Sequence, residues 1–240
     1  MPCQQTTIAY LRDIPFILIA KLFRKKIALH LRGANFLKWY NNTNILIKKI
    51  VYFNHKLIDG QIVLGENLKN IFINFIDFEK IHVIPNGYDI DFPIKNKNTN
   101  KINISFLGNF IRSKGIIDFL QSIQILPTDY KKRIIVNLAG NWREEDTKSD
   151  IKNIILNNKD ISVKIYGQVI DSEKEKFLIN TDLFVYPTYH DGLPWVIIEA
   201  VAAGLPIIST DQGAIIEAVK NDYNGFIVPK HSPKEIAKKI

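Results

Sequence analysis

Two carboxylates stand eight residues apart in the segment Asp182–Thr210, in a pattern that indicates a ligand site. Asp191 lies in a short polar loop after a buried strand, and Glu199 lies about two turns into the apolar helix that follows. Ligands of open parallel sheets bind outside the carboxyl ends of the strands, and this loop lies at such an end. Because a buried carboxylate without a partner is costly, a buried Glu199 must have some group that donates hydrogen bonds to it. The alternatives are an exposed Glu199 and a turn or helix-cap role for Asp191.

The segment Phe106–Gly115, FLGNFIRSKG, has the features of a phosphate site. A buried strand ends at Gly108, the loop carries Arg112 and Lys114, and a helix follows. Backbone N–H groups point outward at a helix N-terminus, so cations placed beside them complete a site for an anion. The alternative is that both cations are solvated loop residues.

Alternating strands and helices position these two loops. Helices are expected around Pro15–Phe23, Ile45–Lys56 and Leu68–Phe75 in the first part of the chain. Strands are expected there at Lys26–Leu31, Gln61–Leu64 and Ile81–Ile84, and later at Ile102–Leu107, Arg133–Ala139, Ser162–Tyr166, Leu183–Tyr186, Ile207–Ser209 and Phe226–Val228. The polar stretch 93–101 predicts a linker between one domain of residues 1–92 and another of residues 102–240.

The segment Asp182–Thr210 also resembles a known family. Two acids separated by seven residues, then A-x-A-x-G-x-P and a strand ending in Ser-Thr-Asp-x-Gly, are similar to the C-terminal domain of family 4 retaining glycosyltransferases. The resemblance runs from Ile8 to Ile240 and departs from the family at Asp191, where a glutamate is usual. It implies an α/β fold of the GT-B type, in which two Rossmann-like domains face a cleft. Here the C-terminal domain is nearly complete and the N-terminal domain incomplete, so we expect a chain shortened at both ends.

The resemblance assigns roles to the residues of both loops. It implies that Glu199 binds the ribose of the donor, that Asp191 binds the transferred sugar and that Lys114 binds the diphosphate. These three are the expected catalytic residues. Asn109 stands where the family has a basic residue, so Arg112 is expected to supply the missing charge.

Further donor contacts are expected at neighbouring loops. Gly108 opens the phosphate loop, and the backbone N–H groups of Gly192 and Leu193 are expected to meet sugar or phosphate oxygens. Gln168 and Val169 follow the third strand of the second domain, where loops of the family border the nucleobase.

The motif HLRGANF places His30 and Arg32 after a strand of the first domain. The family often has histidine directly before this glycine, a position that Arg32 occupies here, with His30 two residues earlier. Either Arg32 assists the diphosphate or the usual histidine contribution is absent. The remaining alternatives are a core-edge His30 and a solvated Arg32.

Composition indicates an ordinary α/β protein. The apolar content is 46%, and Cys3 is the only cysteine, so no intramolecular disulfide forms and a reducing compartment is expected. No apolar run reaches the length of a spanning helix, which is roughly 18 residues. We therefore expect a cytoplasmic protein.

Positive charge is concentrated at the start of the chain. The first 58 residues hold ten Lys and Arg against the single acid Asp13, beside the apolar segment Ile14–Phe23. This pattern fits peripheral contact with the anionic inner face of the plasma membrane. The alternative is a basic face that aids solubility. No nucleic-acid-binding module is recognised, so nucleic acid is not an expected partner.

The resemblance implies transfer of a sugar from a nucleotide-diphosphate sugar to a glycan or lipid-linked acceptor, with retention, in bacterial envelope polysaccharide synthesis. No cofactor and no metal are expected, because Lys114, Arg112 and the helix N-terminus oppose the charge of the leaving diphosphate. Two alternatives stay open: a non-catalytic nucleotide-binding fragment, and a nucleotide-sugar epimerase of the same fold. If the chain is shortened, it should bind the donor weakly, tend to aggregate and transfer sugar poorly.

Overall fold

The computed structural model describes residues 1–88, 92 and 101–240, which fall into two units. The first unit comprises Met1–Asn86 with the loop segments His190–Leu193 and Gln212–Ala214, and the second unit contains the remainder. Residues 93–100 of the predicted linker lie outside the described residues, so the boundaries of the two predicted domains stay a prediction.

The first unit contains a parallel sheet of three short strands. Its elements are α1 (Thr7–Leu22), β1 (Ala28–His30), α2 (Phe36–Asn42), α3 (Ile45–Leu57), β2 (Gly60–Val63) and β3 (Ile81–Val83), with 3-10 helices at Glu66–Ile71 and Phe78–Lys80. The strand order is β1-β2-β3, with Ala28 opposite Gly60 and Val63 opposite Val83. All three strands predicted in this part of the sequence are confirmed, with bounds that differ by at most two residues.

Two helix predictions for this unit were wrong in detail. α1 begins at Thr7 and continues through Pro15, although proline lacks the N–H that would bond to the preceding turn. Burial of Tyr10 and Ile17, on either side of Pro15, stabilises the helix despite the missing bond. The predicted helix Leu68–Phe75 is instead a 3-10 helix, Glu66–Ile71, followed by turns. Apolar spacing over so few residues does not separate the two helix types.

The second unit contains a larger parallel sheet. Its elements are β4 (Ile102–Leu107), α4 (Ile116–Ile125), α5 (Thr128–Arg133), β5 (Ile134–Ala139), α6 (Glu145–Leu156), β6 (Ser162–Gly167), α7 (Asp171–Ile179), β7 (Leu183–Tyr186), α8 (Trp195–Ala202), β8 (Ile207–Thr210), α9 (Ile215–Ala218), β9 (Gly225–Val228) and α10 (Pro233–Lys239). The six predicted strands are confirmed, and the α/β fold with parallel sheets is the one expected.

The strand order of this sheet is β6-β5-β4-β7-β8-β9, so the order reverses between β4 and β7. Right-handed crossovers then place the helices of the two halves on opposite faces of the sheet. In agreement, α4 packs against α6, whereas α8 packs against α9. α10 follows the last strand and is not a crossover, and it packs against α4. The carboxyl ends of β4 and β7 therefore form a topological switch point, where open α/β sheets bind their ligands.

An imidazole is buried in the core of the first unit. His55 has no exposed surface and packs against Phe36, Phe72 and Phe75, with ring centroids 5.3 to 5.5 Å away. Its Nδ1 lies 2.8 Å from the carbonyl oxygen of Val51, which makes Nδ1 the donor. Burial lowers the pKa of His55 to about 4, so the ring is neutral in the folded protein at pH 7.

We expect His55 to make the protein less stable in acid. Below pH 6.5 the unfolded imidazole takes up a proton, while the folded one stays neutral until about pH 4. Lowering the pH from 7 to 4.5 should therefore cost about 2 to 3 kcal/mol of unfolding free energy through this residue. Urea unfolding of the wild type and of His55→Leu at pH 7 and at pH 4.5 measures this change in unfolding free energy. An equal loss in the variant would exclude His55 as the cause.

Candidate functional site

A cleft of about 310 Å³ lies in the second unit, at the carboxyl ends of β4, β5 and β6. It brings together five of the predicted donor-binding residues, namely Gly108, Asn109, Gln168, Val169 and Glu199. Asn141, Lys174 and Trp195 also line it, and neither Lys174 nor Trp195 was singled out as a site residue from the sequence. The loops after β4 and β6 and the helix after β7 thus meet around one space, as the strand order requires.

Glu199 is 4% exposed, which agrees with the burial expected from its apolar neighbours. One carboxylate oxygen, Oε1, accepts a hydrogen bond from the ammonium of Lys174 at 2.6 Å. The other, Oε2, is buried and has no hydrogen-bond partner in the described part of the chain. A single sequence does not reveal Lys174 as a partner, because α7 and α8 are separated by a strand and a loop. Glu199 therefore lines the cleft with one oxygen paired and the other buried and unpaired among the described residues.

The loop after β4 is held against the loop after β7. It forms a 3-10 helix, Arg112–Lys114, and ends at Gly115, whose φ is 74°. A side chain at Gly115 would be strained by that φ, and its Cβ would lie 2.1 Å from the carbonyl oxygen of Pro187. The carbonyl of Ser113 accepts hydrogen bonds from the Tyr189 N–H at 2.8 Å and the Thr188 hydroxyl at 3.2 Å. The two loops that border the switch point are therefore fixed to each other.

The two cations of this loop have different surroundings. The Nζ of Lys114 lies 6.0 Å from the centroid of the Tyr186 ring, at the end of β7. The guanidinium of Arg112 pairs with Asp150, and the Arg112 N–H donates to Oε2 of Glu144 at 3.0 Å. Arg112 would have to leave Asp150 to meet a diphosphate, so its predicted role stays a prediction.

Tyr189 anchors the second loop and was not identified from the sequence. Its hydroxyl donates to Oδ2 of Asp118 in the first turn of α4 at 2.6 Å, and its ring centroid lies 3.9 Å from that of His231. Burial, and then the Asp118 carboxylate, raise the pKa of Tyr189, so the phenol stays protonated and keeps donating. This hydrogen bond connects the loop after β7 to helix α4.

The remaining predicted residues belong to the first unit. Gly192 lies against β1 and its following loop, since a Cβ at Gly192 would be 2.3 Å from the carbonyl oxygen of Arg32. The Leu193 carbonyl accepts a hydrogen bond from the side chain of Asn86 at 2.7 Å. Asp191 is partly exposed. Because Asp191 and Glu199 fall in different units, a shared site for the two acids stays a prediction.

His30 ends β1 and is partly buried, and its Nε2 has no partner among the described residues. Burial, with smaller effects of Arg32 and the N-terminal ammonium, lowers the pKa of His30, which favours the neutral ring. Arg32 itself is exposed. The structure therefore brings the backbone of Arg32 next to Gly192. A ligand-binding role for His30 or Arg32 stays a prediction.

Within residues 1–88, 92 and 101–240, no three His, Cys, Asp or Glu side chains gather as a metal site would require. In the same ranges, no helix combines the length and the apolar character needed to cross a bilayer. Metal independence stays a prediction.

Comparison with known proteins identifies the family. Residues 88–240, more than half of the chain, match the model of the family described as glycosyl transferases group 1. The chain therefore belongs to the group 1 glycosyl transferases.

Three similar proteins illustrate the relationship. The chain is 32% identical over 170 residues to the capsular polysaccharide biosynthesis glycosyltransferase CapM of Staphylococcus aureus, covering 70% of this chain and 42% of CapM. It is 26% identical over 177 residues to the N,N'-diacetylbacillosaminyl-diphospho-undecaprenol alpha-1,3-N-acetylgalactosaminyltransferase of Campylobacter jejuni, covering 74% of this chain and 42% of the relative. The crystal structure of Anabaena HepE in complex with UDP superposes with a TM-score of 0.78 at 18% identity, covering 93% of this chain and 64% of HepE.

These likenesses confirm the α/β fold of the GT-B type expected from the sequence. The chain spans less than half the length of the two relatives named and less than two thirds of HepE.

Proposed function

We propose that the cleft of the second unit binds a nucleotide-diphosphate sugar, and that the protein transfers the sugar to a glycan or lipid-linked acceptor with retention of configuration. The observation that carries this proposal is Glu199, a buried carboxylate with one unpartnered oxygen at the cleft among the residues that the structure describes. Such an oxygen is costly unless a ligand donates to it, and the hydroxyl groups of a ribose are suitable donors. The presence of UDP in HepE, a protein of the same fold, supports this choice of ligand.

Transfer needs positive charge where the leaving group forms. As the bond between sugar and diphosphate breaks, negative charge grows on the diphosphate. Lys114, in the loop after β4, and the N-terminus of the ten-residue helix α4 are the groups proposed to stabilise that charge. Arg112 contributes if its ion pair with Asp150 opens. These groups bind and orient the diphosphate without a metal.

The remaining donor contacts are proposed from the family resemblance. Asn141 donates to Gln168 at 2.8 Å, which places two side-chain amides at the part of the cleft assigned to the nucleobase, beside Val169. Asp191 and the N–H groups of Gly192 and Leu193 hold the sugar. The side chain of Asp191 is one methylene shorter than glutamate, so it requires a closer approach by the sugar.

The acceptor is proposed from the relatives. CapM is named for capsular polysaccharide biosynthesis, and the Campylobacter enzyme for a diphospho-undecaprenol substrate. An envelope polysaccharide with a lipid-linked intermediate is therefore the proposed product class. A nucleotide-binding protein without transfer activity is the alternative, and radiolabelled nucleotide sugars with a membrane extract separate the two. Labelled lipid or glycan supports the transferase, and binding without any transfer supports the alternative.

The first unit offers a surface for a lipid-linked acceptor. Seven large apolar side chains of α1 and its end are exposed, among them Ile8 at 86%, Phe16 at 60%, Leu22 at 79% and Phe23 at 68%. The exposed cations Arg24–Lys26 follow directly. Apolar side chains beside a basic cluster complement an anionic membrane surface. We assign this surface, which we call the α1 surface, to peripheral membrane contact.

Removing the Glu199 carboxylate should weaken donor binding. In a cleft shielded from water, the loss of its hydrogen bonds to the ribose should cost roughly 2–4 kcal/mol for Glu199→Ala. Calorimetric titration with a panel of nucleoside diphosphates and nucleotide sugars measures the loss. Glu145→Ala, which removes an exposed carboxylate of the same unit, serves as the control. Unchanged nucleotide affinity in Glu199→Ala would refute the assignment.

Lys114→Ala should weaken the binding of a nucleoside diphosphate by about 1–3 kcal/mol. Binding of the corresponding nucleoside should weaken far less, because only the diphosphate carries the charge that Lys114 meets. Arg112→Ala should have a smaller effect, since its guanidinium is held by Asp150. Titrations of UDP and uridine compare the variants, with the exposed Lys152→Ala as control. Equal losses for both ligands would indicate damage to the fold instead. Addition of EDTA should change neither affinity.

Replacing Arg24, Lys25 and Lys26 by glutamate should reduce binding to anionic vesicles by at least roughly a hundredfold, since each basic residue contributes about 1 kcal/mol. Co-sedimentation with phosphatidylglycerol vesicles measures the binding, and phosphatidylcholine vesicles give the baseline. The control replaces Lys132, Lys152 and Lys159, three exposed lysines of the second unit, by glutamate. An equal loss in the control would mean that net charge, rather than the α1 surface, attracts the lipid.

A further inference from the structure

The ammonium of Lys174 is the partner of the buried acid in the cleft. Lys174 lies on α7, and its Nζ is 2.6 Å from Oε1 of Glu199 on α8. Both side chains line the same cleft of about 310 Å³. The lysine side chain is 26% exposed and that of the acid 5%, so the pair sits at the boundary between the cleft and the core. An ion pair so little exposed is screened weakly by water and has a defined geometry.

The ring of Tyr88 fixes the ammonium on another side. Nζ of Lys174 lies 5.8 Å from the centroid of that ring, within the range of a cation–π contact. Lys174 is therefore held between a carboxylate and an aromatic face. A lysine on a flexible stem is otherwise a mobile partner, and these two contacts restrict it.

The two carboxylate oxygens of Glu199 consequently differ. Oε1 is occupied by Lys174, whereas Oε2 is buried without a partner in the described ranges. If Lys174 were absent, the carboxylate could turn either oxygen to the cleft. With Lys174 present, one oxygen is held by the ammonium, and this contact sets the orientation of the whole carboxylate.

We propose that Lys174 is a positioning residue, which orients Glu199 so that its free oxygen accepts hydrogen bonds from the ribose hydroxyls of the donor. This inference rests on the proposed nucleotide-sugar site and goes beyond it by naming the residue that sets its preference for ribose. A 2′-deoxyribose lacks one donor and leaves the buried oxygen less satisfied. The preference for ribonucleotides over deoxyribonucleotides should therefore depend on Lys174.

Titration of the full chain with UDP and 2′-deoxyUDP tests the inference. Guanosine and adenosine diphosphates are titrated in the same way, each with its 2′-deoxy form. The base whose ribonucleotide binds most tightly is then used to compare the variants. The wild type should prefer the ribonucleotide by roughly tenfold or more. Lys174→Met should lower ribonucleotide affinity about tenfold and bring the preference close to one. Lys174→Arg should restore most of the preference, because arginine can again donate to Oε1.

Matched variants separate positioning from folding. Lys176→Met removes an exposed lysine of the same helix and should keep the wild-type preference. In a Glu199→Gln background, Lys174→Met should change affinity little, because Lys174 acts through the carboxylate. Lys174→Gln serves as a second neutral variant should Lys174→Met unfold in urea at a much lower midpoint.

The outcomes distinguish this inference from the function on which it rests. If the wild type binds no ribonucleotide, the proposed function and the role of Lys174 both fail. A second outcome is that a ribonucleotide binds, that Glu199→Ala lowers its affinity, and that the neutral Lys174 variants keep the preference for ribose. In that case the donor site stands and the positioning role of Lys174 is wrong. A loss of preference that arginine restores supports both.

Discussion

The reversal of strand order between β4 and β7 determines where the second unit can hold a ligand. Two adjacent parallel strands whose chains continue to opposite sides leave their carboxyl ends uncovered by either crossover. The loops that follow these strands must close that gap. Here they are joined through the Ser113 carbonyl and fitted together at Gly115, where no side chain is tolerated beside Pro187. The loop after β4 and the loop before Asp191 consequently form one continuous edge.

Glu199 is the residue on which the proposed ligand preference of this edge depends. A carboxylate that is 4% exposed is unfavourable in a core unless its charge and its lone pairs are satisfied. Lys174 meets the charge and one oxygen, and the second oxygen is buried with no partner among the described residues. Because buried ion pairs contribute little net stability, we propose that this incomplete pair beside a cavity serves binding rather than structural support. The family match, which begins at residue 88, covers the part of the chain that contains this pair.

The sequence predicted the strands well and the partners of the site poorly. Buried parallel strands such as Ile102–Leu107 and Leu183–Tyr186 are apolar runs bounded by turn residues, and their limits follow from local pattern. The burial of Glu199 followed from its apolar neighbours in the same helix. Lys174 and Tyr189 were missed because their partners, Glu199 and Asp118, are distant in the sequence and meet only through the sheet topology. The continuation of α1 through Pro15 was missed for a similar reason, since tertiary burial outweighed a local signal.

The most direct test of the central claim is a crystal structure of this chain with a nucleoside diphosphate bound. We expect the ribose in the cleft of the second unit, with its hydroxyl oxygens within hydrogen-bond distance, about 2.5–3.0 Å, of Oε2 of Glu199. Lys174 should still contact Oε1, and the diphosphate should lie at Lys114 and the start of α4. A nucleotide bound elsewhere, or a ribose that leaves Oε2 without a donor, would refute the proposed role of Glu199.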